Sequence, residues 1–220
     1  MKEHPILFSG PMVRAILDGR KMMTRRVVKV QDPRDTFVRQ GSGHHAAFDN
    51  PTWWTFDPRW DTTVDGKGDR RPKYAMHCPY GIPGDQLWVR ETLRDSGTGW
   101  RYAADSMAIT MSKTCHDYPA MIAWAHHQER DYCPSIHMPR WASRITLAVT
   151  SVRVERVQDI TEADALAEGC DGDCGIGYLP AHQAGPCVYH FAQLWDTING
   201  TRAPWSSNPW VWVVGFEVSP

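Results

Sequence analysis

The stretch Ser9-Gly10-Pro11-Met12-Val13-Arg14-Ala15-Ile16-Leu17-Asp18-Gly19-Arg20-Lys21-Met22-Met23-Thr24-Arg25-Arg26 reads as a short helix that breaks into a charged corner and then a strand. Ser9 is placed to cap, Pro11 suits a first turn where its missing N–H costs nothing, and Met12, Val13, Ile16 and Leu17 form one apolar face. Gly19, just past the last periodic residue, is the usual left-handed terminator. Arg20 to Arg26 then leaves the helix as a tight connection into an extended segment, Arg25 to Val30, with Lys21 and Thr24 on the corner. Between Gly10 and Val30 stand Arg14, Arg20, Lys21, Arg25, Arg26 and Lys29 against Asp18, so basic charge is concentrated here in a chain of formal net charge -1.

With 220 residues, 42% hydrophobic and 22% charged, the chain can fill one core and not two independent ones. A single domain over residues 1–220 is therefore expected, with insertions at about 31–80 and 104–135. No run approaches the roughly 20 apolar residues that span a bilayer, and Met1-Lys2-Glu3-His4-Pro5 lacks a signal-peptide core, so a cytoplasmic chain with no membrane partner is expected. The 6 cysteines are irregularly spaced and read as thiols rather than a disulfide framework. Near-neutral charge argues against a protein that coats nucleic acid and leaves room for one basic cleft that takes a phosphate-bearing ligand.

Outward from the corner, Ile6 to Phe8 reads as the first strand. From Gln31 to Tyr80 periodicity disappears among prolines, glycines and polar residues, which marks a long loop whose aromatics favour docking on something. Gly84-Asp85 turns into a strand at Leu87 to Glu91, with Trp100 to Ala103 expected to pair with it. Pro119 to His127 reads as a short helix. Ser143 to Val157 alternates with one phase slip, which places a bulge near Thr150. Thr161 caps a helix that Gly169 ends, Val188 to Ile198 forms the next helix, and Trp210 to Val218 closes the chain as a strand.

Gly19-Arg20-Lys21-Met22-Met23-Thr24-Arg25-Arg26 resembles the Gly-x-Lys-x-x-Thr-x-Arg signature of ASCH domains, a PUA-like family that includes small acetylcytidine amidohydrolases and RNA-associated proteins. Pro5 to Met12, Cys78-Pro79-Tyr80-Gly81, Pro83 to Glu91, Pro134 to Arg144 and Asn208 to Val213 resemble blocks of phage and prophage ASCH proteins. The resemblance implies an α/β (α+β) fold of the PUA-like ASCH type, a small mixed or barrel-like sheet with flanking helices and two long loop insertions. It also implies a Lys/Thr/Glu site. Matching Ile160-Thr161-Glu162 to the family's Leu/Ile-Thr-Glu block puts the glutamate at Glu168.

Amide hydrolysis needs a nucleophile, a group that takes and returns its proton, and donors for the oxyanion. Thr24 is the candidate nucleophile, Lys21 its activating base or electrostatic partner, and Glu168 the acid/base. Arg20, Arg25 and Arg26 are candidates to orient an anionic or polar substrate, and Glu91, flanked by Arg90 and Arg94, is a candidate binding residue. Trp53 and Trp54, interleaved with arginines, have the composition of a base-stacking surface. The bland reading is a lysine that grips a phosphate or carboxylate, a threonine that begins a strand, and a surface glutamate, with Glu162 and Glu91 rivals to Glu168.

The cysteines and histidines lack the paired Cys-x-x-Cys spacing of a zinc site, and no metal or cofactor is expected. The function expected is removal of an acyl group from a modified nucleoside such as N4-acetylcytidine. A non-catalytic RNA- or single-stranded nucleic-acid-binding module and a ribonuclease are the alternatives.

Overall fold

The computed structural model describes residues 1–29, 37–38, 53–56, 62–64, 70–72, 76–109, 131–170 and 185–219. The chain has a mixed α+β fold built on a sheet of five strands. These are β1 (Glu3–Leu7), β2 (Met23–Val27), β8 (Gln86–Arg90), β12 (Thr146–Arg156) and β13 (Trp210–Val218), counting the short strands between β2 and β8 as β3 to β7. The order is β1-β8-β12-β13-β2, with β1 parallel to β8 and the other neighbours antiparallel. A smaller sheet joins β9 (Leu93–Asp95), β10 (Trp100–Tyr102) and β11 (Tyr132–Cys133) in the order β10-β9-β11.

β13 is a nearly continuous apolar run because it is covered on both faces. Trp212, Val214 and Phe216 face one cluster with Ile6, Leu87, Leu147 and the helix α1 (Gly10–Leu17). Val211 and Val213 face the other, with helices α2 (Glu162–Ala167) and α3 (Pro186–Asn199). The phase slip in β12 is a real register shift between Val149 and Ser151. Gly215 lies opposite it, where a Cβ would meet the Ser151 hydroxyl at 2.5 Å, so the bulge and the glycine require each other.

β1 and β2 are opposite edges of this sheet, yet the sheet coils far enough for them to meet. Arg26 Nη2 on β2 donates to the Leu7 carbonyl on β1 at 2.5 Å, and the guanidinium lies 5.2 Å from the Phe8 ring centroid. The sheet is thus open in its backbone ladder and bridged by a side chain.

Several local expectations change. Ser9 is the N-cap residue in extended geometry but makes no side-chain cap bond, and Leu17 is 49% exposed, so the buried face of α1 is Val13, Ala15 and Ile16. β2 starts at Met23 rather than Arg25, because Met22 and Met23 already pair with β13. Trp100–Tyr102 pairs with Leu93–Asp95 rather than with β8, since β8 ends at Arg90 and the turn at Ser96 to Gly99 leads out of the separate strand Leu93–Asp95. Within 31–80 the chain forms short strands, β3 (Phe37–Val38), β4 (Trp53–Phe56) and β7 (Met76–His77) in one sheet, β5 (Thr62–Val64) and β6 (Arg70–Pro72) in another. The helix expected at Pro119 to His127 lies outside the described residues.

Two helix ends meet at the charged corner. α1 closes with Gly19 N–H on the Ile16 carbonyl and Arg20 N–H on the Ala15 carbonyl, and α2 closes the same way with Gly169 on Leu166 and Cys170 on Ala165. Both are Schellman motifs, with Gly19 at φ +72° and Gly169 at φ +99°. Gly169 is crowded as well: a Cβ there would lie 3.0 Å from Ala15 Cβ and 3.1 Å from Lys21 Cβ. Gly84, at φ +93°, has nothing within 4 Å of its would-be Cβ and isolates the backbone cost. Gly84→Ala is expected to lose about 1–2 kcal/mol in urea unfolding from left-handed backbone alone, and Gly169→Ala clearly more; equal losses would mean that the two helix ends are not in tight contact.

Candidate functional site

Lys21 sits between those helix ends with its side chain fully buried. Its ammonium donates to Glu168 Oε2 at 2.7 Å, to the Glu168 carbonyl at 2.8 Å and to the Met23 carbonyl at 2.8 Å, so all three protons are used. Burial pulls the lysine below its ordinary value, and the charge and hydrogen bond of Glu168 only partly offset this. The two residues also form an isolated antiparallel bridge, and Met22 N–H donates to the Ala167 carbonyl beside it.

Glu168 is the C-cap of α2 and its side chain is 7% exposed. Its other oxygen, Oε1, lies 3.5 Å from Arg25 Nη1. Arg25, itself fully buried in its side chain, also meets Asp164 at 2.8 Å and Glu155 at 3.3 Å, and Arg153 reaches both of those carboxylates. Lys21, Arg25 and Arg153 thus neutralise Glu155, Asp164 and Glu168. Burial pushes the Asp164 carboxyl up, but the hydrogen bond and charge of Arg25, followed by the charge of Arg153, outweigh it and hold it below the usual aspartate value.

Strand alternation divides β2 between two faces. Thr24 and Arg26 lie opposite Val214 and Trp212 on the α1 side, and Arg25 and Val27 lie opposite Val213 and Val211 on the α3 side. Phe216 N–H donates to the Met22 carbonyl and Val28 N–H to the Trp210 carbonyl. That parity sends the Met22 carbonyl, the Val28 N–H and the backbone groups of Thr24 and Arg26 to β13, and those of Met23, Arg25 and Val27 to the open edge. Met23 spends its carbonyl on Lys21. Arg25 N–H and C=O remain as an adjacent donor and acceptor along the edge.

A groove runs along this edge between α1 and α3. One lobe, about 260 Å³, is lined by Thr24, Arg25, Arg26, Tyr80, Glu168 and Trp195 among others. A second, about 340 Å³, is lined by Pro11, Ala15, Ala165, Cys170 and His190. Met12, Glu168, Phe191 and Leu194 belong to both lobes, so the Glu168 carboxylate stands where they join. Thr24 is 3% exposed, and its hydroxyl has no hydrogen-bond partner among the described residues. Burial raises Tyr80 above its ordinary value against the pull of Arg26.

The structure therefore brings Thr24, Glu168, Arg25 and Arg26 to one groove and sets Lys21 behind Glu168, lining neither lobe. Arg20 lies at the exposed corner, paired with Asp18 and bonded to the Gly169 carbonyl. Glu91 is 2% exposed and lines neither lobe; its partner is not Arg90 or Arg94 but Arg144, at 2.8 and 2.9 Å, which also holds Asp105 and lies 3.9 Å from the Tyr102 ring centroid. That pair ties the smaller sheet to the larger. Glu162 accepts from Cys187 N–H and Val188 N–H and so caps the start of α3. Trp53 and Trp54 lie on β4, opposite His77 and Met76 of β7; their side chains fall outside the described residues.

Sequence reasoning missed Tyr80, Arg153, Glu155 and Asp164 as site residues, and the stripe Phe191, Leu194, Trp195 and Ile198 on α3. The stripe carried its own signal, an i, i+3, i+4, i+7 spacing on a helix whose Leu194 and Ile198 remain 47% and 55% exposed. Among the described residues no cluster of His, Cys, Asp or Glu could hold a metal ion, and no helix is long and apolar enough to cross a membrane.

No family model matches the chain, and no curated protein does. Among solved structures it aligns with the crystal structure of protein EF3133 from Enterococcus faecalis V583, of the DUF984 family, at 8% identity over 99% of this chain and 80% of that one, with a TM-score of 0.37. A likeness of that size bears on neither family nor activity.

The depressed Asp164 carboxyl has a pH consequence. As pH falls, the unfolded chain takes up this proton before the folded one. The stabilisation is thus complete above the ordinary aspartate value of about 3.9 and is lost as pH drops through the folded value. Urea unfolding of Asp164→Asn is expected to show a stability deficit at pH 7 that narrows in acid below pH ~4; a deficit of constant size from pH 7 downward would mean that the Arg25–Asp164 charge pair contributes nothing.

Proposed function

We propose that this protein hydrolyses the acyl-amide bond of an acylated cytidine-type nucleoside, with N4-acetylcytidine the simplest substrate, and that it belongs with the ASCH proteins its corner resembles. The observation that carries the reading is the convergence of an unbonded Thr24 hydroxyl and the Glu168 carboxylate on one groove. The groove also offers what a cytosine ring needs. Phe191 and Trp195 supply apolar wall, and the adjacent N–H and C=O of Arg25 complement the N3 acceptor and N4–H donor of the acylated base. At about 260 Å³ this lobe lies just below the usual range of small-molecule sites, roughly 300–1,000 Å³.

In this reading Thr24 Oγ adds to the acyl carbonyl carbon while Glu168 takes its proton, and Arg26 stabilises the oxyanion. The C–N bond then breaks as Glu168 returns the proton to N4, which releases cytidine. Water activated by Glu168 adds to the Thr24 ester, and the acid leaves as Thr24 Oγ regains a proton. Lys21, with every proton committed, serves as the electrostatic partner that fixes and polarises Glu168 rather than as the base that meets substrate.

The test is product formation by mass spectrometry with N4-acetylcytidine and a panel of acylated nucleosides. Wild type is expected to release the deacylated nucleoside. Thr24→Val removes a hydroxyl with no partner, so it should abolish turnover with stability changed by less than about 1 kcal/mol, and Glu168→Gln should lower kcat/KM by about 10²–10⁴-fold. No turnover by folded wild type, together with polynucleotide binding that weakens steeply with salt, would replace this reading with the nucleic-acid-binding or ribonuclease one.

A further inference from the structure

We infer that the second lobe of the groove is an acyl-chain site, and that the substrates this protein handles best carry acyl groups considerably longer than acetyl. The inference rests on the amidohydrolase reading for the placement of the base, and adds what that reading leaves open, the chemistry of the group removed.

The lobes differ in character on either side of Glu168. The base lobe carries Thr24, Arg25, Arg26 and Tyr80. The other has none of these: its walls are Pro11 and Ala15 of α1, Ala165 of α2 and Leu194 of α3, with Cys170 and His190 as further lining. A carbonyl carbon held between Thr24 and Glu168 has the nucleobase on one side, and its acyl substituent must leave on the other, into this lobe. A water-sized group takes about 30 Å³, so a lobe of about 340 Å³ has room for on the order of ten such groups. The methyl of an acetyl group would leave most of it unfilled. Ala15 and Ala165 are packed behind the lobe, at 4% and 0% exposure, so the surface a chain would meet is that of Pro11, Leu194 and Cys170.

The occupant is then an uncharged aliphatic acyl chain, because most of the lobe's lining is apolar and the one carboxylate at its mouth is already paired with Lys21 and Arg25. Cys170, part-exposed just beyond the Gly169 turn, borders the lobe without lining the base side, so a large side chain there should shorten the chain that fits.

Two series decide this. The first measures affinity of wild-type protein, by tryptophan fluorescence, for N4-alkylcytidines from methyl to octyl. These have no amide to cleave and so report the lobe whether or not hydrolysis occurs. Affinity should rise about threefold to fourfold per added methylene before levelling off, and Cys170→Trp should flatten the rise beyond the first carbons. The second measures kcat/KM for N4-acylcytidines of two to eight carbons, which should climb in parallel. A flat affinity series with wild type overturns the acyl site, even if acetylcytidine is hydrolysed. A rising series without any turnover keeps the chain site and removes the hydrolysis reading. If Cys170→Trp does not fold, the wild-type slope alone decides.

Discussion

Everything at the groove depends on one buried ion pair, Lys21 to Glu168 at 2.7 Å. Removing one member of such a pair typically costs about 3–5 kcal/mol, because the other is left charged and dry. Here the pair is held from both sides by packing. Two helices end in glycine turns that pack against each other, and the Glu168 carbonyl at the end of α2 accepts from the ammonium, which favours its charge. The lysine cannot leave, and so the carboxylate of Glu168 cannot turn away from the junction between the two lobes. The position of that carboxylate is set by a packing constraint, and the proposed chemistry uses it as a proton acceptor.

The second condition is the open edge of β2. Exposed sheet edges invite unwanted pairing, and this one is guarded rather than paired: Lys21 caps the Met23 carbonyl, Arg26 ties across to Leu7, and α3 overhangs the rest. Among the described residues the backbone groups of Arg25 and Val27 on this edge keep no backbone partner. The buried charges leave a residual polarity too. Lys21, Arg25 and Arg153 are matched by three carboxylates, whereas Arg26 has no carboxylate within ion-pair distance among the described residues, so the base lobe is electropositive at one end.

Much of this was legible in the chain because it was local. Gly19 and Gly169 announced helix ends, Thr161 announced a cap and bonds Asp164 N–H at 3.1 Å, and the slip in Ser143 to Val157 announced a bulge. What stayed hidden was contact across long separations. Glu91 has two arginines beside it in sequence and binds neither, because its partner Arg144 arrives from 53 residues away. Glu162 and Glu168 look equivalent on a short helix, yet one caps α3 and the other grips Lys21, a difference set by which element packs at each end. Arg153 and Glu155, spaced i, i+2 on one strand face, were a visible charge pair on a strand read only for its apolar residues.

The most direct measurement is a crystal structure of Thr24→Val with N4-hexanoylcytidine bound. The cytosine edge is expected against the Arg25 backbone, the acyl carbonyl between position 24 and Glu168, and the chain running along Pro11 and Leu194. Ligand bound outside the groove, or in the groove with its acyl chain directed away from Glu168, would contradict it.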